Sequence, residues 1–127
     1  MNILMVDDSR TMRNIQKNVL KALGECVYTE AGDGLEALTC VAAAPRGFDL
    51  LLVDWNMPNM DGLSFVKRLR EKDKVTPVIM VTTEAEKTRI IEAIKAGVNN
   101  YVIKPFTPDA LLERIKQTLA KCKAIAA

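Results

Sequence analysis

Five short apolar segments alternate with longer segments of helical period, and this alternation constrains the fold of the chain more than any other feature. The apolar segments are predicted strands at residues 3–6, 27–31, 50–53, 78–81 and 101–103. Strands that are apolar throughout and separated by helices predict a parallel sheet with helices on both faces and right-handed crossovers. The predicted fold class is therefore α/β, with five parallel strands and five helices. The second strand is the least apolar of the five, so we expect it near an edge of the sheet.

The predicted helices each carry an apolar stripe that is expected to face the sheet. The stripe residues, from the first helix to the fifth, are Met12, Ile15, Val19, Leu20 and Leu23; Leu35, Leu38 and Val41; Leu63, Val66 and Leu69; Ile90, Ile91 and Ile94; and Leu111, Leu112, Ile115 and Leu119. Gly24 and Gly97 are predicted to end the first and fourth helices, while Thr107 is predicted to cap the fifth.

Composition excludes several classes of function. Lys and Arg total 18 against 16 Asp and Glu, without a long run of like charge, so neither a nucleic-acid surface nor a basic membrane patch is indicated. The three cysteines are widely spaced and form no CxxC, which favours reduced thiols in a cytoplasmic protein. No signal sequence or membrane span is expected. A chain of 127 residues that is 49% apolar predicts one domain, residues 1–127, and only the segment KCKAIAA is expected after helix five.

Polar residues stand at the carboxyl ends of four predicted strands, where ligands bind in sheets of this kind. Asp7 and Asp8 follow strand one, Asp54 follows strand three, Thr82 and Thr83 follow strand four, and Lys104 follows strand five. If strands one and three are neighbours, three carboxylates converge, and their repulsion requires a cation. Oxygen ligands without His or Cys favour Mg²⁺, and the Lys104 ammonium supplies a second positive charge.

The same residues fit phosphoryl transfer to a carboxylate. Asp54 is the candidate nucleophile because it stands alone at the end of the central strand, whereas Asp7 and Asp8 resemble a metal-holding pair. The product would be an aspartyl phosphate, to which the Thr82 hydroxyl can donate a hydrogen bond.

Four motifs resemble the receiver domain of two-component response regulators, and the resemblance covers essentially the whole chain. They are VDDS at 6–9, VDWNMPNMDG at 53–62, VTTEA at 81–85 and YVIKPF at 101–106. The resemblance is greatest to the single-domain chemotaxis members of the family. It implies a flavodoxin-like sheet with strand order 2-1-3-4-5.

The resemblance also implies a role for each matching residue. Asp54 is the implied phosphoacceptor, and the side chains of Asp8 and Asp54 with the backbone carbonyl of Asn56 are the implied Mg²⁺ ligands. Asp7 is implied to hold a metal-bound water. Further implied roles are a switch triplet of Thr82, Tyr101 and Lys104, and control of the phosphate lifetime by Asn56 and Glu84. Phosphorylation is implied to draw Thr82 inward and to turn the Tyr101 ring toward the interior.

Partners are implied by the same resemblance. A sensor histidine kinase of the chemotaxis pathway is the implied donor, the flagellar motor switch protein is the implied output partner, and a phosphatase is a further one. The output face comprises helix four, strand five and helix five, and its candidate residues are Ala85, Lys87, Ile90, Tyr101 and Arg114. The protein is expected to be a monomer that signals by protein contact, not a turnover enzyme on an external substrate.

Three other functions share parts of this pattern. A metal-dependent phosphatase or mutase typically has a second acid two residues after its nucleophile, where this chain has Asn56. A flavodoxin-like electron carrier needs a hydroxyl-rich phosphate loop after strand one, where the chain has Asp7 and Asp8. Among receivers, a phosphorelay intermediate remains the alternative, as does one receiver of a longer protein.

Smaller expectations concern individual residues of the site. Capping of the first helix is the alternative role of Asp8 or Ser9, but Asp54 and Lys104 nearby favour the acidic site; Thr83 or its neighbourhood is expected to cap the fourth helix. The Lys104-Pro105 bond is expected to be cis. Trp55 is expected to be partly exposed near the metal, while Met12, Met57 and Met60 are expected to be packing residues.

Overall fold

The computed structural model describes the backbone of residues 1–126 and the side chains of residues 1–122. Five strands are present: β1 (Asn2–Val6), β2 (Val27–Ala31), β3 (Leu50–Val53), β4 (Val78–Thr82) and β5 (Asn100–Ile103). Five helices accompany them: α1 (Arg10–Leu20), α2 (Gly34–Ala43), α3 (Gly62–Arg70), α4 (Lys87–Ala96) and α5 (Pro108–Ala126). A short 3₁₀ turn, Lys21–Leu23, extends α1. α5 extends to Ala126, so it includes most of the segment KCKAIAA, which is predicted to follow the helix. Residue 127 lies outside the described residues.

The strands form one parallel sheet in the order β2-β1-β3-β4-β5, which confirms the predicted fold class and places β2 at an edge. The order reverses between β1 and β3, because the chain first adds β2 on one side of β1 and then β3 on the other. Val6 pairs with Val53 at the carboxyl ends of β1 and β3, so these two strands end level with each other. Ligand sites of doubly wound sheets lie at this reversal.

Each face of the sheet packs against its own set of helices. Alternate strand residues, including Ile3, Leu52 and Val81, are buried against α1 and α5. The intervening residues, including Leu4, Val53 and Met80, are buried against α2, α3 and α4. The two-residue alternation of a strand therefore explains why the strands are apolar throughout.

Side-chain oxygens cap four of the five helices by accepting a backbone N–H of the first turn: Ser9, Asp33, Asp61 and Thr107. Ser9, and not Asp8, caps α1. The expected cap of α4 by Thr83 is wrong, because α4 begins after Glu86 and has no side-chain cap. Gly97 ends α4 as predicted, with a positive φ of 114°.

Four apolar residues of the predicted stripes are exposed instead of buried: Ile15, Leu35, Ile91 and Ile94. In α1 the buried positions are Gln16, Val19 and Leu20, so Gln16 occupies the core position next to the predicted Ile15. In α4 only Ala93 is fully buried. Successive side chains of a helix point about 100° apart around its axis. A broad apolar stripe therefore does not specify which of its two edges meets the sheet. The α3 stripe is buried as predicted, together with Phe65.

Candidate functional site

The ends of β1 and β3 bring three carboxylates together. Asp7 and Asp54 directly follow the paired residues Val6 and Val53, and their backbone amides continue the sheet by donating to Ala31 and Val6 carbonyls at 3.0 and 2.8 Å. Oxygens of Asp7, Asp8 and Asp54 all lie within 4.8 Å of one another. The acidic cluster predicted from the strand ends is therefore present.

Lys104 reaches this cluster from the end of β5. Its Nζ lies 2.8 Å from Asp7 Oδ2 and 3.2 Å from Asp54 Oδ2, and the Lys104-Pro105 peptide bond is cis as expected. Burial acts to lower the pKa of the Lys104 amine, but the hydrogen bond to Asp7 and the charge of Asp54 outweigh it and leave that pKa above its ordinary value. The ammonium is therefore charged at neutral pH and offsets part of the negative charge.

The three carboxylates differ in what they can still bind. Asp7 is only 1% exposed, and its two oxygens accept from Ser9 N–H at 2.8 Å and from Lys104. Asp54 is 8% exposed, and its Oδ1 accepts from Trp55 N–H at 2.7 Å. Asp8 is open to solvent. The cluster therefore has a solvent-facing side at Asp8 and a buried side at Asp7.

The candidate ligand atoms of this cluster are all carboxylate oxygens, and Mg²⁺ prefers oxygen ligands. Two carboxylates at neighbouring strand ends, with an exposed third beside them, suit an ion that keeps several of its own waters. The residues present therefore fit the divalent ion that the sequence predicts.

The loop after Asp54 turns back sharply into α3. Gly62 N–H donates to the Trp55 carbonyl at 2.8 Å, and a Cβ at Gly62 would stand 1.9 Å from the Asp54 carbonyl oxygen. Only glycine permits this approach.

Trp55 is 4% exposed and belongs to the core on the α2, α3 and α4 face, so the expectation that it is partly exposed is wrong. Its ring also lies 5.3 Å from the Arg89 guanidinium of α4, a cation–π contact between residues 34 positions apart that the sequence did not reveal.

Glu84 connects the predicted switch residues with the loop of Asn56. Tyr101 OH donates to the Glu84 carbonyl at 2.6 Å, and Asn56 Nδ2 donates to Glu84 Oε1 at 3.1 Å. Thr82 is fully buried at the end of β4, and its Oγ1 accepts from Glu84 N–H at 3.4 Å. The two predicted lifetime positions, Asn56 and Glu84, are thus in direct contact. No sequence pattern indicates the Tyr101 contact, because it involves a backbone carbonyl 17 residues away.

The Tyr101 side chain lies in the interior in this structure. Burial, with added effects of the Glu84 and Asp54 charges, raises its pKa to about 12, so the hydroxyl remains a neutral donor. The ring is 9% exposed and packs in the core that faces α2, α3 and α4.

The other predicted output residues differ in burial. Ala85, Lys87 and Arg114 are exposed, while Ile90 is partly buried against the core. Two exposed residues not singled out for this surface add apolar area: Ile94 on α4 and Ile103 on β5. Since alternate strand residues share a face, Ile103 lies on the Tyr101 side of the sheet. Met57 and Met60 pack against the core, as expected for packing residues.

Two further expectations concern the cysteines and the membrane. Cys26, Cys40 and Cys122 are free thiols, as expected. Among the helices of residues 1–126, none has the length and apolarity needed to cross a membrane.

Comparison with known proteins identifies relatives that match most of the chain. CheY of Pseudomonas aeruginosa is 49% identical over 119 residues, which cover 92% of this chain and 94% of the relative. CheY1 of Helicobacter pylori is 48% identical over 121 residues, which cover 94% and 97%. Both are chemotaxis proteins.

Solved structures agree with this likeness. A CheY-like receiver domain from Methanospirillum hungatei superposes with a TM-score of 0.87 at 28% identity and covers 97% of this chain and 96% of its own. A chain of the complex of CheX, CheY, BeF₃ and Mg²⁺ from Borrelia burgdorferi superposes with a TM-score of 0.86 at 25% identity, and the match covers 92% of this chain and 87% of that one.

The family model of the response regulator receiver domain matches residues 3–116, which include the four motifs that suggested the resemblance and all five strands except the first residue of β1, Asn2. The chain therefore belongs to the response regulator receiver domain family.

Proposed function

We propose that this protein is a phosphorylation-activated switch of a two-component system that acts in chemotaxis and accepts a phosphoryl group on Asp54. The observation that carries the proposal is the cluster of Asp7, Asp8 and Asp54, two of which contact the Lys104 ammonium, in a chain 49% identical to a chemotaxis protein. The proposed donor is a sensor histidine kinase. In the transfer, the bond from phosphorus to the donor nitrogen breaks and a bond from phosphorus to an Asp54 carboxylate oxygen forms.

The protein's own residues prepare Asp54 for this reaction. The Trp55 N–H and the Lys104 ammonium each contact one oxygen of the carboxylate, which fixes its orientation before the donor arrives. The same ammonium faces the position where negative charge develops on the phosphoryl oxygens. We assign Asp8, Asp54 and the Asn56 carbonyl as ligands of Mg²⁺, and Asp7 as the holder of a metal-bound water. Bound there, Mg²⁺ supplies further positive charge toward the phosphoryl oxygens.

The proposed switch is a shift between two populated forms of the domain. Thr82 donates to the phosphoryl oxygens in the phosphorylated form, and Tyr101 occupies its interior position in that form. The Tyr101 to Glu84 hydrogen bond supports a link between the ring and the loop that follows Thr82. Asn56 and Glu84 are the proposed control points of the phosphate lifetime, and their mutual hydrogen bond supports a joint effect.

The proposed output surface lies on α4 with the loop before it, β5 and α5, and its contact residues are Ala85, Lys87, Ile90, Tyr101 and Arg114. Its proposed partner is the flagellar motor switch protein. The chemotaxis names of the relatives support this choice, and the complex of a Borrelia CheY with CheX supports a further regulatory partner, which we assign as a phosphatase. We propose that the chain is a cytoplasmic monomer with a single domain and no turnover of an external substrate.

The central experiment is incubation with Mg²⁺ and acetyl phosphate, followed by mass spectrometry of the intact protein and its peptides. One phosphoryl group on Asp54 is expected, and it should be absent from an Asp54→Ala variant. Equal labelling of that variant, or no labelling of the parent, would overturn the proposal. Sustained release of phosphate from a phosphate ester would favour a phosphatase, and transfer onward to a histidine protein would favour a phosphorelay intermediate.

A second experiment separates output from phosphorylation. Ile90→Ala and Tyr101→Ala variants are expected to bind the motor switch protein more weakly, while Asp54 is still phosphorylated by acetyl phosphate. Loss of phosphorylation in these variants would count against the assigned surface.

A further inference from the structure

The loop between β3 and α3 is tied to the start of α2 by two hydrogen bonds. Asn59 Nδ2 donates to Asp33 Oδ2 at 2.8 Å, and Gly34 N–H donates to the Met60 carbonyl at 3.0 Å. We call these contacts of Asp33 and Gly34 with Asn59 and Met60 the loop clamp. Asp33 also caps α2, because its other oxygen accepts from Glu36 N–H at 2.8 Å. The clamp therefore joins the loop to the first turn of a helix whose own geometry is fixed.

The two segments approach too closely for any side chain at Gly34. A Cβ there would stand 2.8 Å from the Met60 carbonyl oxygen and 2.9 Å from the Met60 Cβ. Asn59 has a φ of +66°, a conformation that Asn adopts more readily than other residues with a side chain. The loop is therefore held at one defined position against α2.

This position determines where the Asn56 carbonyl lies. One side of the loop is fixed where Gly62 N–H donates to the Trp55 carbonyl, and the tip is fixed by the clamp three residues after Asn56. Asp8 and Asp54 are placed by strand ends, whereas the Asn56 carbonyl is a backbone group within the loop. Its direction depends on the loop conformation and not on a side-chain rotamer.

We propose that Asp33 and Asn59 are positioning residues of the metal site, which orient the Asn56 carbonyl through the loop clamp without touching the ion. This inference rests on the proposed function, because it assigns the Asn56 carbonyl to Mg²⁺. Both Asp33 oxygens are engaged with Glu36 and Asn59, so Asp33 is not itself a ligand. Outer residues that orient metal ligands typically change metal affinity about 10- to 100-fold when removed.

Two variants remove the hydrogen bond while preserving the other task of each residue. Asp33→Ser retains an oxygen that caps α2 but loses the acceptor for Asn59. Asn59→Gly retains the positive φ but loses the donor. The matched control is Thr107→Ser, a change at another helix cap that lies outside the loop. Mg²⁺ is titrated into each protein, and its dissociation constant is measured from the fluorescence of Trp55, which directly follows Asp54.

Each single variant is expected to weaken Mg²⁺ binding about tenfold, the lower end of the range for such residues. The double variant should be no weaker than either single variant, because both changes break the same hydrogen bond. The control should bind as the parent does, and urea unfolding in chelator shows whether the variants remain folded at the titration temperature.

The possible outcomes separate the two proposals. If the parent binds Mg²⁺ and both single variants bind within twofold of it, the positioning inference is wrong while the proposed function stands. Additive losses in the double variant would also overturn it, because the two residues would then act separately. If the parent shows no Mg²⁺ binding, the metal assignment fails and the inference fails with it.

Discussion

Replacing Lys104 by Met removes the ammonium that lies within 3.2 Å of both Asp7 and Asp54. Methionine preserves most of the apolar stem, so the main loss is the charge. Removing one partner of a fully buried ion pair costs about 3 to 5 kcal/mol, because the remaining charge is left without compensation. The Asp7 side chain is 1% exposed, but those of Lys104 and Asp54 are 11% and 10% exposed, and Asp8 is open to solvent. The lower end, about 3 kcal/mol, is therefore expected in the absence of metal.

Equilibrium unfolding in urea with a chelator, followed by the fluorescence of Trp55, measures this loss. With a slope of about 1 to 3 kcal/mol per molar urea, the Lys104→Met midpoint should fall by roughly 1 to 3 M at an unchanged slope. Lys116→Met, an exposed position on α5, is the control and should unfold as the parent does. Added Mg²⁺ should raise the midpoint of the Lys104→Met variant, since a ligand that binds only the folded state stabilises it.

The double variant Lys104→Met with Asp54→Asn tests the electrostatic cause. Neutralising Asp54 should recover about half of the loss, since it removes one of the two uncompensated charges. The reasoning is refuted if Lys104→Met unfolds at the parent midpoint, or if the double variant is no more stable than the single one. In the second case the lost contacts of the lysine stem, and not its charge, would explain the effect.

Three further changes test the packing and the charges around the site. Gln16 is buried, and its Oε1 has no hydrogen-bond partner among the described residues. Gln16→Met should therefore raise the free energy of unfolding, measured in urea, by about 1 kcal/mol. A free energy of unfolding below that of the parent would show that the oxygen is satisfied. Gly62→Ala places a Cβ 1.9 Å from the Asp54 carbonyl oxygen and should cost about 4 kcal/mol or more by thermal unfolding. Gly32→Ala is the control and should remain folded, because its Cβ would meet only the flexible Glu36 side chain at 3.6 Å. The hydrogen bond from Lys17 lowers the pKa of Glu30 below 4.5, so this pair stabilises the fold above that pH and the effect is lost as the pH falls through the lowered pKa. Glu30→Gln should therefore be less stable than the parent by under about 1 kcal/mol at pH 6, and a difference that persists at about pH 2 would contradict the assignment.

The strand and helix pattern was sufficient to predict the sheet and the residues at its edge. Five apolar strands separated by helices imply a parallel sheet, and the carboxyl ends of parallel strands meet at one edge. Asp7, Asp54 and Lys104 are predicted at this edge for that reason, and their convergence further requires strands one and three to be neighbours, which the structure shows. Lys104 lies within hydrogen-bond distance of both carboxylates. Their roles in phosphoryl transfer remain predictions.

The helix faces were predicted less well. Ile15, Ile91 and Ile94 share an apolar stripe with buried neighbours, yet they are exposed, and Gln16 is buried. Hydrophobic periodicity gives the width of an apolar face, but its rotation against the sheet depends on how all neighbouring side chains fill the space.

The sequence by itself determined the elements of this protein and the chemical groups at the strand ends, because both follow from local spacing and from the direction of parallel strands. Only the tertiary structure decided the burial of Trp55, the contact of Asn56 with Glu84 and the contact of Asn59 with Asp33. The physical reason is that the two hydrogen bonds join residues 28 and 26 positions apart in the chain. The surroundings of Trp55 likewise depend on α4, whose Arg89 lies over the Trp55 ring. Such distances are set by the packing of whole elements, which no local pattern specifies.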